Sequence, residues 1–344
     1  MLIFCRSPAR KTEDFLPKDV AFLRRMVYNT DEQSEGGKAM EQRYIAVVGG
    51  VNVDICGKSF EPLIPCDSNP GSVRISMGGV GRNIAHNLSL LGEKVYLLTA
   101  LAEDAYGAQV RADCAENGID LRFACTVPEG RTSTYVYLTG PDGDMALAVC
   151  DGELAKCITV GYLEDRLDVL NGAAAVVLDT NLTETAIAWL ASHCKAPLFA
   201  DAVSVTKAKK LRPVLANLFT VKPNRLEAEA LCGEQITDLA SARRAAEALL
   251  TSGVERVFLS LGAEGLYCAS EDERIFVPCP PAEPVNDTGG GDALTAGLVR
   301  AYTAGLNLHD SASLALACAA IAIEGTDTIN PRLSLAAAMQ RANL

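Results

Sequence analysis

Two apolar periods alternate along most of this chain. Short runs in which nearly every residue is apolar and many are β-branched read as strands buried on both faces: YIAVVGGVNVDI (44–55, closing on a Gly turn), KVYLLTALA (94–102), AAAVVLD (173–179), PLFADAV (197–203), NLFTVKP (217–223) and ERVFLSLG (255–262). Between them lie segments with apolar residues three and four apart. GRNIAHNLSLLG (81–92) places Ile84, Leu88 and Leu91 on one helix face and stops at Gly92. DAYGAQVRADCAENG (104–118), ETAIAWLASHCK (184–195), RLEAEALCG (225–233) and SARRAAEALLTSG (241–253) repeat the pattern. Strand–helix alternation of this kind predicts an α/β fold, a parallel sheet covered on both faces. SLALACAAIAI (313–323) is too short to span a bilayer and reads as a buried helix.

Two stretches break the alternation. Residues 56–79 and 123–150 read as short β segments with turns, PDGD (141–144) being a hairpin signal. They predict a small accessory sheet able to cover a site, with lid segments at about 56–77 and 123–150. Residues 1–43 differ from the rest: DFLPKDVAFLRRMVY (14–28) could form one short helix, and DEQSEGGKAMEQ (31–42) is linker-like. This extension carries no recognisable chemistry, so the functional domain is expected over 44–344.

Composition narrows the function. Of 344 residues, 49 % are hydrophobic, enough for a large core, and the net charge of -12 argues against a nucleic-acid partner. Twelve cysteines without a Cys-x-x-Cys pair, beside only three histidines, give no zinc spacing and read as reduced thiols of a cytoplasmic protein. No leader or membrane segment is expected.

The chemistry concentrates in NDTGGGDALTAGLVRA (286–301). Gly289, Gly290 and Gly291 precede a helical run, and Asp292 falls in its first turn. Free N–H groups at a helix start favour an anion, and glycines let a ligand approach the main chain. A carboxylate beside a bound phosphate suits a base that receives the proton of an attacking hydroxyl late in a loose transition state. A plain Gly-rich turn with an Asp matching the helix dipole would look the same. Neither a G-x-x-x-x-G-K-[ST] loop nor a clean G-x-G-x-x-G is present, which leaves a nicotinamide oxidoreductase without its fingerprint.

NDTGGGDA resembles the C-terminal signature of the PfkB (ribokinase-like) carbohydrate and nucleoside kinases, and MGGVGRNIAHNLSLLG (77–92) resembles their N-terminal Gly-Gly…Asn signature. The resemblance covers about 44–344. It implies a three-layer α/β/α parallel sheet with a small β lid, and a phosphotransferase with an alcohol group as acceptor. It further implies Asp292 as catalytic base and Gly289, Gly290 and Gly291 as anion hole. Asn52, Asp54, Gly78, Gly79 and Asn83 would form the sugar site. Asn224, Ser260, Gly262 and Gly265 would line ATP, and Glu227 would organise Mg2+, directly or through water. Within the family, DSNPGSVRISMGGVGRNIA (67–85) and VKPNRLEAEALCG (221–233) look most like the pseudouridine kinases, which implies ATP-dependent phosphorylation of the 5′-hydroxyl of pseudouridine. Lys207 is then a substrate-contact candidate, and Ser133 and Thr134 are candidates to face the base, strand parity leaving both open. Val80 and Arg82 stand near the lysine of many ribokinases, and Asn286 stands where relatives carry Asp, which leaves a monovalent cation open. Ribose, adenosine and ketoses remain rival substrates, a non-catalytic nucleoside sensor remains a rival class, and a homodimer is expected from the lid. His86 reads as a helix-surface residue and Trp189 as core.

Overall fold

The computed structural model describes residues 43–286 and 288–344, so the expectations for the N-terminal extension lie outside the described residues. Nine strands form the central sheet in the order Arg274–Pro278, Gly265–Ser270, Arg256–Ser260, Thr220–Lys222, Leu198–Asp201, Ala175–Asp179, Ile45–Val48, Val95–Leu98 and Ile119–Asp120. The inner strands, such as Ile45–Val48 and Ala175–Asp179, are buried at every position, which is why they read as unbroken apolar runs. One side, with Ala46, Val48, Leu178 and Ala200, packs on Ile187, Leu190, Ala246 and Leu249 of the helices Glu184–His193 and Leu239–Thr251. The other side meets Val80–Leu90 and Gly290–Thr303, Phe199 and Tyr302 touching edge to face at 5.5 Å.

The sheet is not wholly parallel. Gly265–Ser270 and Arg274–Pro278 pair antiparallel at one edge. The links before them, 261–264 and 271–273, are too short for a crossover, so the chain can only turn back.

A second sheet, ordered Gly71–Gly78, Asn52–Ser59, Thr134–Thr139 and Met145–Asp151, forms the lid. Its boundaries differ from those expected. The first lid strand begins at Asn52 rather than near 56, the central strand having ended at Val48. Cys125–Val127 leaves the lid altogether and pairs with Ala100–Ala102. The lid pairing register sets Val53 opposite Thr134 and Asp54 opposite Tyr135. One lid face therefore carries Asp54, Cys56, Tyr135 and Tyr137, and the other carries Val73, Ile75, Val136, Leu138, Leu147 and Val149.

Candidate active site

Three neighbouring parallel strands end in register on Asp179, Asp201 and Lys222. Ligands of open α/β sheets gather at these carboxyl ends. All three side chains are buried and none is left without partners. Asp179 accepts from the amides of Gly50 (2.7 Å) and Asn181 (2.8 Å). Asp201 accepts from the Val203 amide (2.9 Å) and the Thr295 hydroxyl (2.8 Å), and pairs with the Lys222 ammonium at 3.1 Å. Burial alone would lower the Lys222 pKa; Asp201, Glu227 and Asp292 outweigh it and hold the ammonium above its usual range. These floor residues went unnoticed in the sequence. Their one signal was a charged residue closing an apolar strand, in VVLD, LFAD and FTVK.

Above this floor begins the helix Gly290–Thr303. Gly289 caps it in the left-handed region, φ 83°, and a Cβ there would collide with the Thr328 carbonyl. Only glycine meets both conditions. The first-turn N–H groups of a helix have no intrahelical acceptor, so Gly289–Gly291 open an anion-accepting corner. Lys222 Nζ lies 3.4 Å from where a Cβ on Gly291 would stand, which puts a cation directly beneath that corner. Asp292 occupies the first turn. Burial, then the nearby Asp201 carboxylate, raises its pKa to about 7; the Asn83 hydrogen bond and Lys222 oppose the rise.

Asn83 comes from the other signature, 209 residues away, and its Nδ2 donates to Asp292 Oδ2 at 2.9 Å. The helix that carries it, Val80–Leu90, starts at Gly79, whose φ is 97° and whose Cβ would clash with the Gly50 carbonyl. Gly78 lies so close to the Asp54 carboxyl that no side chain fits there. Asp54 in turn accepts from Asn52 Nδ2, and burial raises its pKa to about 6 against that bond and Arg82. The fold thus brings Asn52, Asp54, Gly78, Gly79 and Asn83 together beside Asp292.

The other expected residues fall in two places. Asn224 and Glu227 form a reciprocal capping box at 2.9 Å each way, and Glu227 is buried rather than solvated, its carboxyl pKa raised by burial against the pull of Lys222. Ser260 adjoins them through a bridge to Asn224 and its amide bond to Pro223 O (2.9 Å). Gly262, φ 64°, faces open space, and Gly265 closes that loop with its carbonyl accepting from Leu261 N (2.9 Å). Lys207 Nζ donates to Asn181 Oδ1 at 2.5 Å, beside Asp179. Ser133 is buried next to the lid root, its carbonyl accepting from Val53 N, and by strand alternation it shares the face of Asp54. Thr134 pairs with Val53 and so lies on the opposite face, while Tyr135 and Tyr137 (ring centroids 5.5 Å apart) take the inner one. Asn286 Oδ1 is engaged by the amide and hydroxyl of Thr288 at 3.0 and 2.8 Å.

Two single-residue readings need correction or addition. His86 is not a helix-surface residue: it is buried, with Nδ1 3.4 Å from Arg82 Nη2. The helix's second neighbour, Ala105–Glu116, covers the side that sequence periodicity left open. Trp189 packs half-buried against the core and stacks on His193 at 4.5 Å. Arg74 of the lid pairs with Asp327, in the loop after the helix Leu308–Ile323, at 2.5 Å.

A family model described as pfkB family carbohydrate kinase matches residues 42–335. The pseudouridine kinase of Escherichia coli (strain K12) is 36 % identical over 298 residues, 86 % of this chain and 95 % of that protein. The uncharacterized sugar kinase YeiI of the same organism is 38 % identical over 296 residues, 86 % of this chain and 82 % of that protein. Among solved structures, a carbohydrate kinase from Agrobacterium tumefaciens matches with a TM-score of 0.79 at 27 % identity, over 88 % of this chain and 98 % of that one. With both glycine signatures meeting at one carboxylate and the family model matching residues 42–335, the chain belongs to the pfkB family of carbohydrate kinases and is a phosphotransferase with an alcohol group as acceptor.

Proposed function

We propose that the chain transfers the γ-phosphoryl group of ATP to the 5′-hydroxyl of pseudouridine. The observation that carries the reading is Asp292, held by Asn83 at a glycine-opened helix start, with a buried lysine beneath. A base with a pKa of about 7 is matched to proton transfer near neutral pH. Asp292 takes the proton of the attacking hydroxyl. The N–H groups of Gly289–Gly291 and the Lys222 ammonium meet the negative charge on the transferring oxygens.

Asp54 and Asn52 accept the vicinal ribose hydroxyls, a carboxylate being able to take two O–H donors. Gly78, Gly79 and Asn83 complete the sugar site. Ser133, Tyr135 and Tyr137 line the inner lid face where a nucleobase would lie, and Lys207 reaches in from the floor. Asn224, Ser260, Gly262 and Gly265 receive the nucleotide. The donor chemistry suits Mg2+, which keeps several waters and binds through one or two carboxylates plus phosphate. Glu227, one oxygen of which is taken by the Asn224 amide, would hold it together with Asn224 through water. When bound, the ion neutralises phosphate charge. Closure of the lid excludes water as a competing acceptor.

The outer lid face supports a homodimer: Val73 and Val149 are 73 % and 65 % exposed, and Ile75, Leu138 and Leu147 continue the patch. Every described cysteine is a free thiol, in keeping with a reducing, cytoplasmic setting, and no described helix is long and apolar enough to cross a membrane.

A second reading, a sugar kinase, draws on the comparable likeness to YeiI, 38 % against 36 % identity. The test is product identification by mass after incubation with ATP, Mg2+ and, in separate tubes, pseudouridine, uridine, adenosine, ribose and fructose. Pseudouridine should gain one phosphate with matching ADP release, well ahead of the others. Preference for a plain sugar would replace the nucleoside reading with the second one.

A further inference from the structure

Arg82 is buried at 3 % exposure, and its three guanidinium nitrogens make five polar contacts. Nε and Nη2 hold Asp113 Oδ2 at 2.9 and 2.6 Å, and Nη2 also faces His86 Nδ1 at 3.4 Å. Nη1 reaches the Met77 carbonyl at 3.1 Å and Asn83 Oδ1 at 3.2 Å. Asp113 is steadied from behind by Asn117 Nδ2 at 3.3 Å. The bond to Asn83 has a directional consequence. A carboxamide has one acceptor end and one donor end. With Oδ1 turned toward Arg82, Nδ2 must point the other way, and there it donates to Asp292. A flipped amide would set its nitrogen against the guanidinium and its oxygen against the carboxylate, unfavourable at both ends.

We propose that Arg82 is a positioning residue for the base. The chain Asp113–Arg82–Asn83–Asp292 locks the Asn83 carboxamide in the one orientation that donates to Asp292, and the Met77 bond ties that lock to the root of the lid strand Gly71–Gly78. The inference rests on the reading of Asp292 as the base. The charged surroundings agree with it. Lys222, Asp201 and Asp179 also act on Asp292 electrostatically, but the bonds they make go to Gly50, Asn181, Val203, Thr295 and one another rather than to the Asn83 amide. Arg82 faces Asp113, His86 and Asp54. His86, its pKa lowered to about 4 by burial and then by Arg82, is neutral and free to accept. An arginine serves here and a lysine would not, because only a planar fork can span Asp113 and Asn83 at once.

The test is a double-mutant cycle on turnover with Arg82→Lys and Asn83→Ala, using whichever acceptor the parent enzyme prefers. Arg82→Lys should lower kcat by about tenfold or more with KM for ATP within about twofold, and the double variant should be no slower than Asn83→Ala alone, the mark of one shared path. Multiplying losses, or an unchanged kcat in Arg82→Lys, would overturn the proposal. A crystal structure of Arg82→Lys reads the same point without turnover: the Asn83 amide should leave Asp292, and an amide still within hydrogen-bond distance refutes the lock. Asp113→Asn, which keeps the arginine but weakens its anchor, provides the same readings should Arg82→Lys not fold. Asp292→Asn runs beside them. Parent-level turnover there removes the base assignment and the lock with it, whereas lost turnover there with an additive cycle removes the lock alone.

Discussion

The floor of the site and its lid are built on opposite plans. Asp179, Asp201 and Lys222 end adjacent buried strands, and each is held by backbone amides, a hydroxyl or an ion pair. The lid residues Asn52 and Asp54 are only half-buried, on a four-stranded sheet whose outer face is open. Side-chain ties from its strand Gly71–Gly78 to the rest of the domain include Arg82 to the Met77 carbonyl and Arg74 to Asp327. On the proposed function, chemistry falls to the tightly held strand ends and recognition to the more open lid.

The comparison can be broken hardest at the helix start that stands on the floor. Asp292→Asn should lower kcat by about 10³-fold or more while nucleoside affinity stays within about threefold, as single-turnover kinetics and calorimetry would read. A variant that turns over normally would strip this helix start of its chemical role. Next in size, Gly289→Ala forces a Cβ into the Thr328 carbonyl at a φ of 83°. We expect kcat down by about 10²-fold, the loss typical of a damaged oxyanion site, together with a lower Tm.

The pH response separates the regions further. Loss of turnover on acidification should centre near pH 7, where Asp292 titrates, and KM for the acceptor should rise only below about pH 6, where Asp54 is protonated. A KM for the acceptor that rises over the same pH range as kcat falls would erase the distinction. The same groups make a stability prediction. Both carboxyls have pKa values raised by folding, so between about pH 4 and 7 the folded chain binds more protons than the unfolded one, and stability falls as pH rises through that window. Asp292→Asn should therefore gain Tm at pH 8, by about 2–4 °C, and gain little at pH 4.

The smallest effect on chemistry is expected on the outer lid face. Leu147, 63 % exposed, when changed to Glu should leave kcat within about twofold at saturating substrate yet shift the protein toward monomer in sedimentation. An unchanged oligomeric state there would assign the apolar face no partner copy.

Much of this architecture was legible in the chain because burial on two faces writes itself as uninterrupted apolar runs, as in IAVV and AVVLD. Asp292 drew attention in the sequence because three glycines precede it at a helix mouth, although a plain Gly-rich turn would look the same; the resemblance to the family singled it out. His86 misled because its helix is covered on a side that periodicity does not report, and Thr134 could not be set apart from Ser133 because alternation has no sign. Lys222 and Asp201 stayed hidden as single charges at strand ends, where a solvated residue looks no different.

The order of elements, the glycine corners and the two signatures follow from the amino-acid sequence by itself, since each depends on local periodicity or on backbone freedom at one position. The meeting of Asn83 with Asp292 across 209 residues, the row of strand ends beneath them and the inward face of the lid were decided only by tertiary structure. Those depend on which strands pair and in what register, and a one-residue slip would turn every lid side chain to the other face.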